Sequence, residues 1–97
     1  MPGYMIHGRF TQQGIKDIKS LPDRLKQDRV AIQGAGARVV GIWVTFGSYD
    51  VVAIIDAPDD KTAAVIALGL AGEGNLTTET ARALSEDEFA QVAQRLP

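Results

Sequence analysis

Val39-Val40-Gly41-Ile42-Trp43-Val44 and Val51-Val52-Ala53-Ile54-Ile55, joined through Phe46-Gly47-Ser48-Tyr49-Asp50, decide how this chain folds. Both runs are apolar and rich in β-branched residues, and they read as the two strands of a hairpin. Neither alternates apolar with polar side chains, as a strand with one wet face does. Both faces of the hairpin therefore need cover, and a chain of 97 residues hardly supplies two covers by itself. The expectation is a sheet that self-associates.

Before the hairpin, Tyr4 to Phe10 reads as a first strand, with Tyr4, Ile6, Gly8 and Phe10 on one face and Met5, His7 and Arg9 on the other. Thr11 suits the cap of a following helix that turns Ile15 and Ile18 inward. Pro22 interrupts that helix, and Ser20 with Asp23 offers a fresh start, so a kink or two helices is expected. The second half carries Leu25 and Ile32 and stops at Gly34-Ala35-Gly36. After the hairpin, Pro58-Asp59-Asp60 opens another helix, uncharged from Thr62 to Ala71 and so expected to be buried on more than one side. Asn75 to Leu84 reads as a last strand. Ser85 and Glu88 then form a capping box before a stripe of Phe89, Val92 and Leu96 on a terminal helix.

The order β-α-β-β-α-β plus a terminal helix matches the α+β, ferredoxin-like arrangement, as one domain over residues 1–97. Right-handed crossovers put the first and third strands at the centre and both main helices on one face. The bare face is expected to meet the sheet of a second copy, giving a homodimer or a larger homo-oligomer.

Composition excludes several chemistries. Hydrophobic residues make up 45% and charged ones 23%, an ordinary globular balance. A net charge of −2 argues against a nucleic-acid or anionic-membrane surface. With no cysteine, disulfides, thiolate zinc sites and a cysteine nucleophile are ruled out. The single histidine leaves a metal site short of ligands, and neither metal nor cofactor is expected. No apolar run approaches the ~20 residues that span a bilayer. The start has no secretory pattern either, so the expected location is cytoplasmic.

If Gly47-Ser48 forms a two-residue turn, Thr45 faces Asp50 and Trp43 faces Val52, whereas a three-residue loop shifts the pairing and breaks the grouping that follows. Val40, Ile42 and Val44 then share the helix-facing side with Val51, Ala53 and Ile55. Trp43, Thr45, Asp50, Val52 and Ile54 share the other side with His7, Arg9 and Glu79. Such a face describes a small-molecule pocket between paired sheets, lined by His7, Arg9, Trp43, Asp50 and Glu79. His7 and Asp50 are the candidates for moving a proton; Arg9, Trp43, Tyr49 and Glu79 are the candidates for ligand binding. Each has a structural alternative. A histidine such as His7 is more often a hydrogen-bonded, half-buried side chain than a base, and Arg9 more often one half of an ion pair with Asp50 or Glu79 than an anion site. Trp43 also suits a core, Asp50 also suits a turn, and Tyr49 packs over a helix end or offers its hydroxyl. No Ser–His–Asp arrangement is legible.

Tyr4-Met5-Ile6, Thr11-Gln12-Gln13-Gly14-Ile15-Lys16, Trp43 to Asp50, Ala57-Pro58-Asp59-Asp60 and Gly74-Asn75-Leu76-Thr77-Thr78-Glu79-Thr80 together resemble the GYD domain family. The resemblance extends over almost the whole chain, and Gly47-x-Tyr49-Asp50 is its most specific part. It implies a dimeric α/β barrel, in line with the two-faced hairpin, and implies no catalytic role for any residue. Related barrels include cofactor-free monooxygenases, muconolactone-isomerase-like enzymes and amino-acid-sensing domains. Three functions follow as expectations: a module binding or sensing a small apolar or aromatic ligand, a cofactor-independent monooxygenase- or isomerase-like enzyme, or a structural oligomer without a ligand.

Overall fold

Gly3–Phe10 forms β1, whose side chains alternate between the core and the open face in the computed structural model, which describes all 97 residues. Tyr4, Ile6 and Gly8 are buried; Met5 and His7 are half-buried on the other side. Thr11 ends the strand and caps α1 (Gln12–Lys16), its hydroxyl accepting the Gly14 N–H at 3.1 Å. Ile15 and Ile18 do not turn inward as expected: they stay 55% and 39% exposed, and Gly14 takes the buried place. The reason is local. The Thr11 N–H donates to the Asn75 carbonyl at 3.0 Å, so the first helical turn lies directly on that backbone, leaving room only for a glycine.

A 3-10 turn at Ile18–Ser20 leads into α2 (Leu21–Gly34), with Pro22 in its first turn, so two helices replace one. Ser20 makes no capping bond, because its hydroxyl donates instead to the Asp17 carbonyl at 2.7 Å. Gly36, at φ +93°, stops α2 in the left-handed conformation that glycine adopts without strain. Strands β2 (Arg38–Val44) and β3 (Val51–Asp56) form the hairpin. Asp59 then caps α3 (Asp60–Gly72), accepting the Thr62 N–H at 2.8 Å, a bond that holds its carboxyl below the usual range. The edge strand β4 (Leu76–Ala83) leads to α4 (Glu86–Gln94), which opens on the full capping box of Ser85 and Glu88.

The strands lie in the order β2-β3-β1-β4, all antiparallel, with α2 and α3 on one face: a ferredoxin-like α+β fold. Hairpin register agrees with the sequence at Trp43–Val52 and differs further down. Val39 faces Ile55 while Gly41 faces Ile54, so Val40 is the extra residue of a β-bulge. Val40 is therefore 53% exposed rather than on the helix face, and Val39 packs against the core in its stead. Val44, also assigned to that face, is 49% exposed at the end of the edge strand β2, while its partner Val51 is buried. The connection is longer than a two-residue turn: the Thr45 N–H donates to the Asp50 carbonyl at 2.7 Å, leaving four residues between them, Phe46 fully exposed among them.

Ile55 and Ile32, both essentially inaccessible, meet Tyr4, Ile6, Ala53 and Ile66 in the core between sheet and helices. Helix α3 buries only one side, through Ala63, Ile66 and Ala67, while Val65 and Leu68 stay about two-thirds exposed or more.

One acid lies within this layer. Asp28 on α2 is 8% exposed, and burial, with the Glu73 carboxylate adding to it, pushes its carboxyl up to about 6. An ordinary aspartate titrates near 3.9, so between these values the folded chain binds the proton more tightly than the unfolded one. Stability on this account is greatest where Asp28 is protonated and falls as pH rises through 6. Asp28→Asn should raise the melting point at pH 7.5, by about 1–2 kcal/mol equivalent, and flatten the stability profile between pH 4 and 7. Melting curves across that range check both; an unchanged slope contradicts the assignment.

Candidate functional site

The open face of the sheet is built in cross-strand rows. Trp43 faces Val52, Val52 faces His7, and His7 faces Glu79, so one row crosses all four strands. The next row towards the other end holds Gly41, Ile54, Met5 and Ala81. Arg9 faces Thr77 at the hairpin end. Alternation along each strand puts these residues opposite the helices.

Into this face comes Tyr49. The loop carries it back over β1, where its ring centroid is 4.5 Å from that of His7, tilted by 42°. The Arg9 guanidinium lies 4.7 Å from the same ring centroid, within cation–π range. The Tyr49 hydroxyl donates to Glu79 Oε2 at 2.8 Å, and the other carboxylate oxygen lies 3.5 Å from Arg9 Nη1. Arg9 Nε donates to the Ser48 carbonyl at 2.7 Å, tying the loop to the sheet. The hydrogen bond between Tyr49 and Glu79 holds the phenol above its ordinary value and, with help from Arg9, the carboxyl below its own. Glu79 is thus a carboxylate and Tyr49 a neutral donor at neutral pH.

Trp43 forms the other end of the row. Its six-membered ring covers Gly41: a Cβ there would collide with the ring, lying 2.8 and 2.9 Å from Cζ2 and Cζ3. The indole thus lies down along the sheet where the absent side chain leaves room, and it is 50% exposed. Between Trp43 and the His7–Tyr49 pair the floor is apolar, made by Val52, Ile54 and Met5.

The fold therefore brings together four of the six residues singled out from the sequence: His7, Arg9, Tyr49 and Glu79. Trp43 shares their row, two strands from His7. Asp50 is differently employed. Its carboxylate accepts the Phe10 N–H at 2.9 Å, and its own N–H donates to the Gly8 carbonyl at 2.8 Å, extending the β1–β3 ladder past the end of β3. Tyr49 packs over no helix end; it spans the sheet. Gly41 was not singled out, although a glycine two residues before a tryptophan on one strand is the signal that a ring lies over it. No three His, Asp or Glu side chains converge closely enough to hold a metal ion. No helix is long and apolar enough to cross a membrane.

The cluster offers a neutral phenol donor, an imidazole and a carboxylate–guanidinium pair beside an apolar, aromatic floor. In a single chain this is an open surface. None of the four concavities of the molecule includes His7, Arg9, Trp43, Tyr49 or Glu79.

Comparison with known proteins returns one family: the GYD domain matches residues 4–93. A curated relative from Thermus thermophilus, "Glutamine synthetase and cystathionine beta-lyase binding protein", is 31% identical over 85 residues, 87% of this chain and 90% of that protein. Among solved structures, the crystal structure of MtbAldR superposes with a TM-score of 0.67 over 88% of this chain at 14% identity, a likeness of fold alone. The present chain spans about half of that one, 54%.

Proposed function

The chain belongs to the GYD domain family, and from that premise we propose that it is a small-molecule-binding or sensing homo-oligomer whose pocket forms between two paired sheets. The observation that carries this reading is the polar cluster of His7, Arg9, Tyr49 and Glu79 at one end of an apolar floor whose other end is Trp43. A sheet of the partner laid over that floor would close it into a compartment with few, converging polar groups, the usual form of a small-ligand site. An apolar or aromatic ligand suits the floor, and one polar substituent suits His7 and Tyr49. Because Glu79 already neutralises Arg9, an anionic group gains little there unless it displaces the carboxylate.

A thermal-shift screen of aromatic acids, quinones and neutral aromatic compounds tests this. A ligand at a hundred times its Kd adds about 2.7 kcal/mol to stability, an easily read rise in melting point. The rise should vanish in Trp43→Ala and shrink in Tyr49→Phe. A screen in which nothing raises the melting point counts against the ligand.

The Thermus relative supports a second reading, in which the chain docks on a metabolic enzyme, since that relative is named for binding two of them. Pull-down with purified glutamine synthetase and cystathionine beta-lyase separates the two. Capture unaffected by Trp43→Ala favours docking through another surface.

A further inference from the structure

An apolar groove on the helix layer is filled by nothing in the chain. It runs between α2 and α3, encloses about 210 Å³, and is lined by Ala31, Ala35, Val65, Gly69 and Leu70, with Glu73 at one end. Small residues keep it open. A Cβ at Gly69 would meet nothing within 4 Å, and glycine in mid-helix is worse than alanine, so nothing within the chain accounts for it. Val65 and Leu68, on the same helix, are 66% and 72% exposed.

The same chain carries a helix without a seat. Helix α4 is held at its first turn by the capping box and by the Arg82–Glu88 pair at 2.8 Å. It makes no extended packing against any other element. Phe89 and Val92 on the helix, and Leu96 just past its end, are left 39–61% exposed. The radius of gyration, 14.6 Å, exceeds the roughly 12.5 Å of a compact chain this long, as a projecting arm requires.

We propose that α4 of one copy occupies the α2–α3 groove of another. The lengths are compatible: from Phe89 to the end of α4 at Gln94 the helix rises about 8 Å, which fits within the roughly 10 Å from Val65 to the end of α3 at Gly72. Charge agrees too. Arg95 is the sole cation from Glu86 to the last residue, and it lies at the end of the stripe; the groove ends at Glu73, beside the buried Asp28. With Leu96 at that end, Arg95 meets Glu73 and Phe89 lies over Val65. The groove is on the helix side of the sheet, so this contact uses a surface separate from the open face and joins copies that sheet pairing leaves apart. Such a contact closes by reciprocal exchange or around a ring.

The absence of cysteine makes the test clean. Full-length Gly69→Cys and Val92→Cys chains, tagged differently, are mixed and mildly oxidised. The expected product is the mixed disulfide pair, at least tenfold over the same reaction with Asp17→Cys in place of Gly69→Cys. Arg95→Glu should reduce the yield, and Glu73→Arg on the other chain should restore it. Val92→Cys linking chiefly to itself or to Val52→Cys on the open sheet face overturns the proposal, as does a mixed yield no higher than the control. Gly69→Leu gives an independent reading: circular dichroism should be retained while the assembly mass falls. An unchanged mass in a folded Gly69→Leu overturns it as well.

Discussion

Val52→Lys is expected to at least halve the mass of the protein in solution while leaving its secondary structure intact. Val52 occupies the middle of the row between Trp43 and His7, on the face that has no cover within the chain. In a single copy it is half-buried, so a lysine there can lift its ammonium group past the indole into water and the sheet tolerates it. Between paired sheets no such route exists. An uncompensated charge enclosed in an interface costs about 3–5 kcal/mol, and symmetry encloses two of them. Each 1.4 kcal/mol is tenfold in Kd, so the paired form should weaken by at least about a thousandfold. Light scattering reads the mass, and circular dichroism guards against simple unfolding. Val52→Leu, which keeps the apolar surface, should pair normally. A Val52→Lys variant with the mass of the parent protein would place the interface elsewhere.

Gly14→Ala should be the most damaging methyl group that can be added to the fold. In a helix an alanine is ordinarily worth about 1 kcal/mol over glycine. Here the Cβ would overlap the Asn75 carbonyl oxygen and lie 3.2 Å from its carbon, and these are backbone atoms that cannot swing aside. The Thr11–Asn75 bond beside them locks the first helical turn to the start of β4, so relief means parting α1 from the sheet. Overpacking of this kind costs about 1–3 kcal/mol and at times more. A domain of this size loses about 4–8 °C of melting point per kcal/mol, so a fall of roughly 10–20 °C is expected. Gly34→Ala, with nothing within 4 Å of the new methyl, is the control and should be neutral or slightly stabilising. Equal melting points for the two variants would refute the close approach.

The fold was legible because the strongest local signals agree with it. The hairpin, the breaks at Pro22 and Gly36, the cap at Asp59 and the capping box at Ser85 all lie where the residue types demand. Register was legible at Trp43–Val52 and failed at Val40, because Gly41 beside it, a glycine within a strand run, was not read as the mark of a bulge. The inward assignment of Ile15 and Ile18 failed for another reason. Helical periodicity favours the apolar residues, but the distance between α1 and Asn75 is too short for any side chain, and that distance is a tertiary fact. Alternation along β1 was enough to place His7 and Arg9 together, and β4 supplied Glu79 by the same rule. Tyr49 was beyond that reasoning, since a loop residue has no periodic face. Asp28 reads in the sequence as one more surface acid of α2; only its approach to Glu73 and its burial distinguish it.

On the proposed pairing, the open face carrying Trp43 is covered by a second sheet. Trp43 is the only tryptophan, so its fluorescence reports on that face alone. With the sheets paired, its emission should lie to the blue and resist acrylamide quenching at micromolar concentration, then shift to the red and become quenchable on dilution. Val52→Lys should show the red, quenchable state at every concentration. Emission of a solvent-exposed indole in the parent protein, unchanged from nanomolar to high micromolar, would contradict the account.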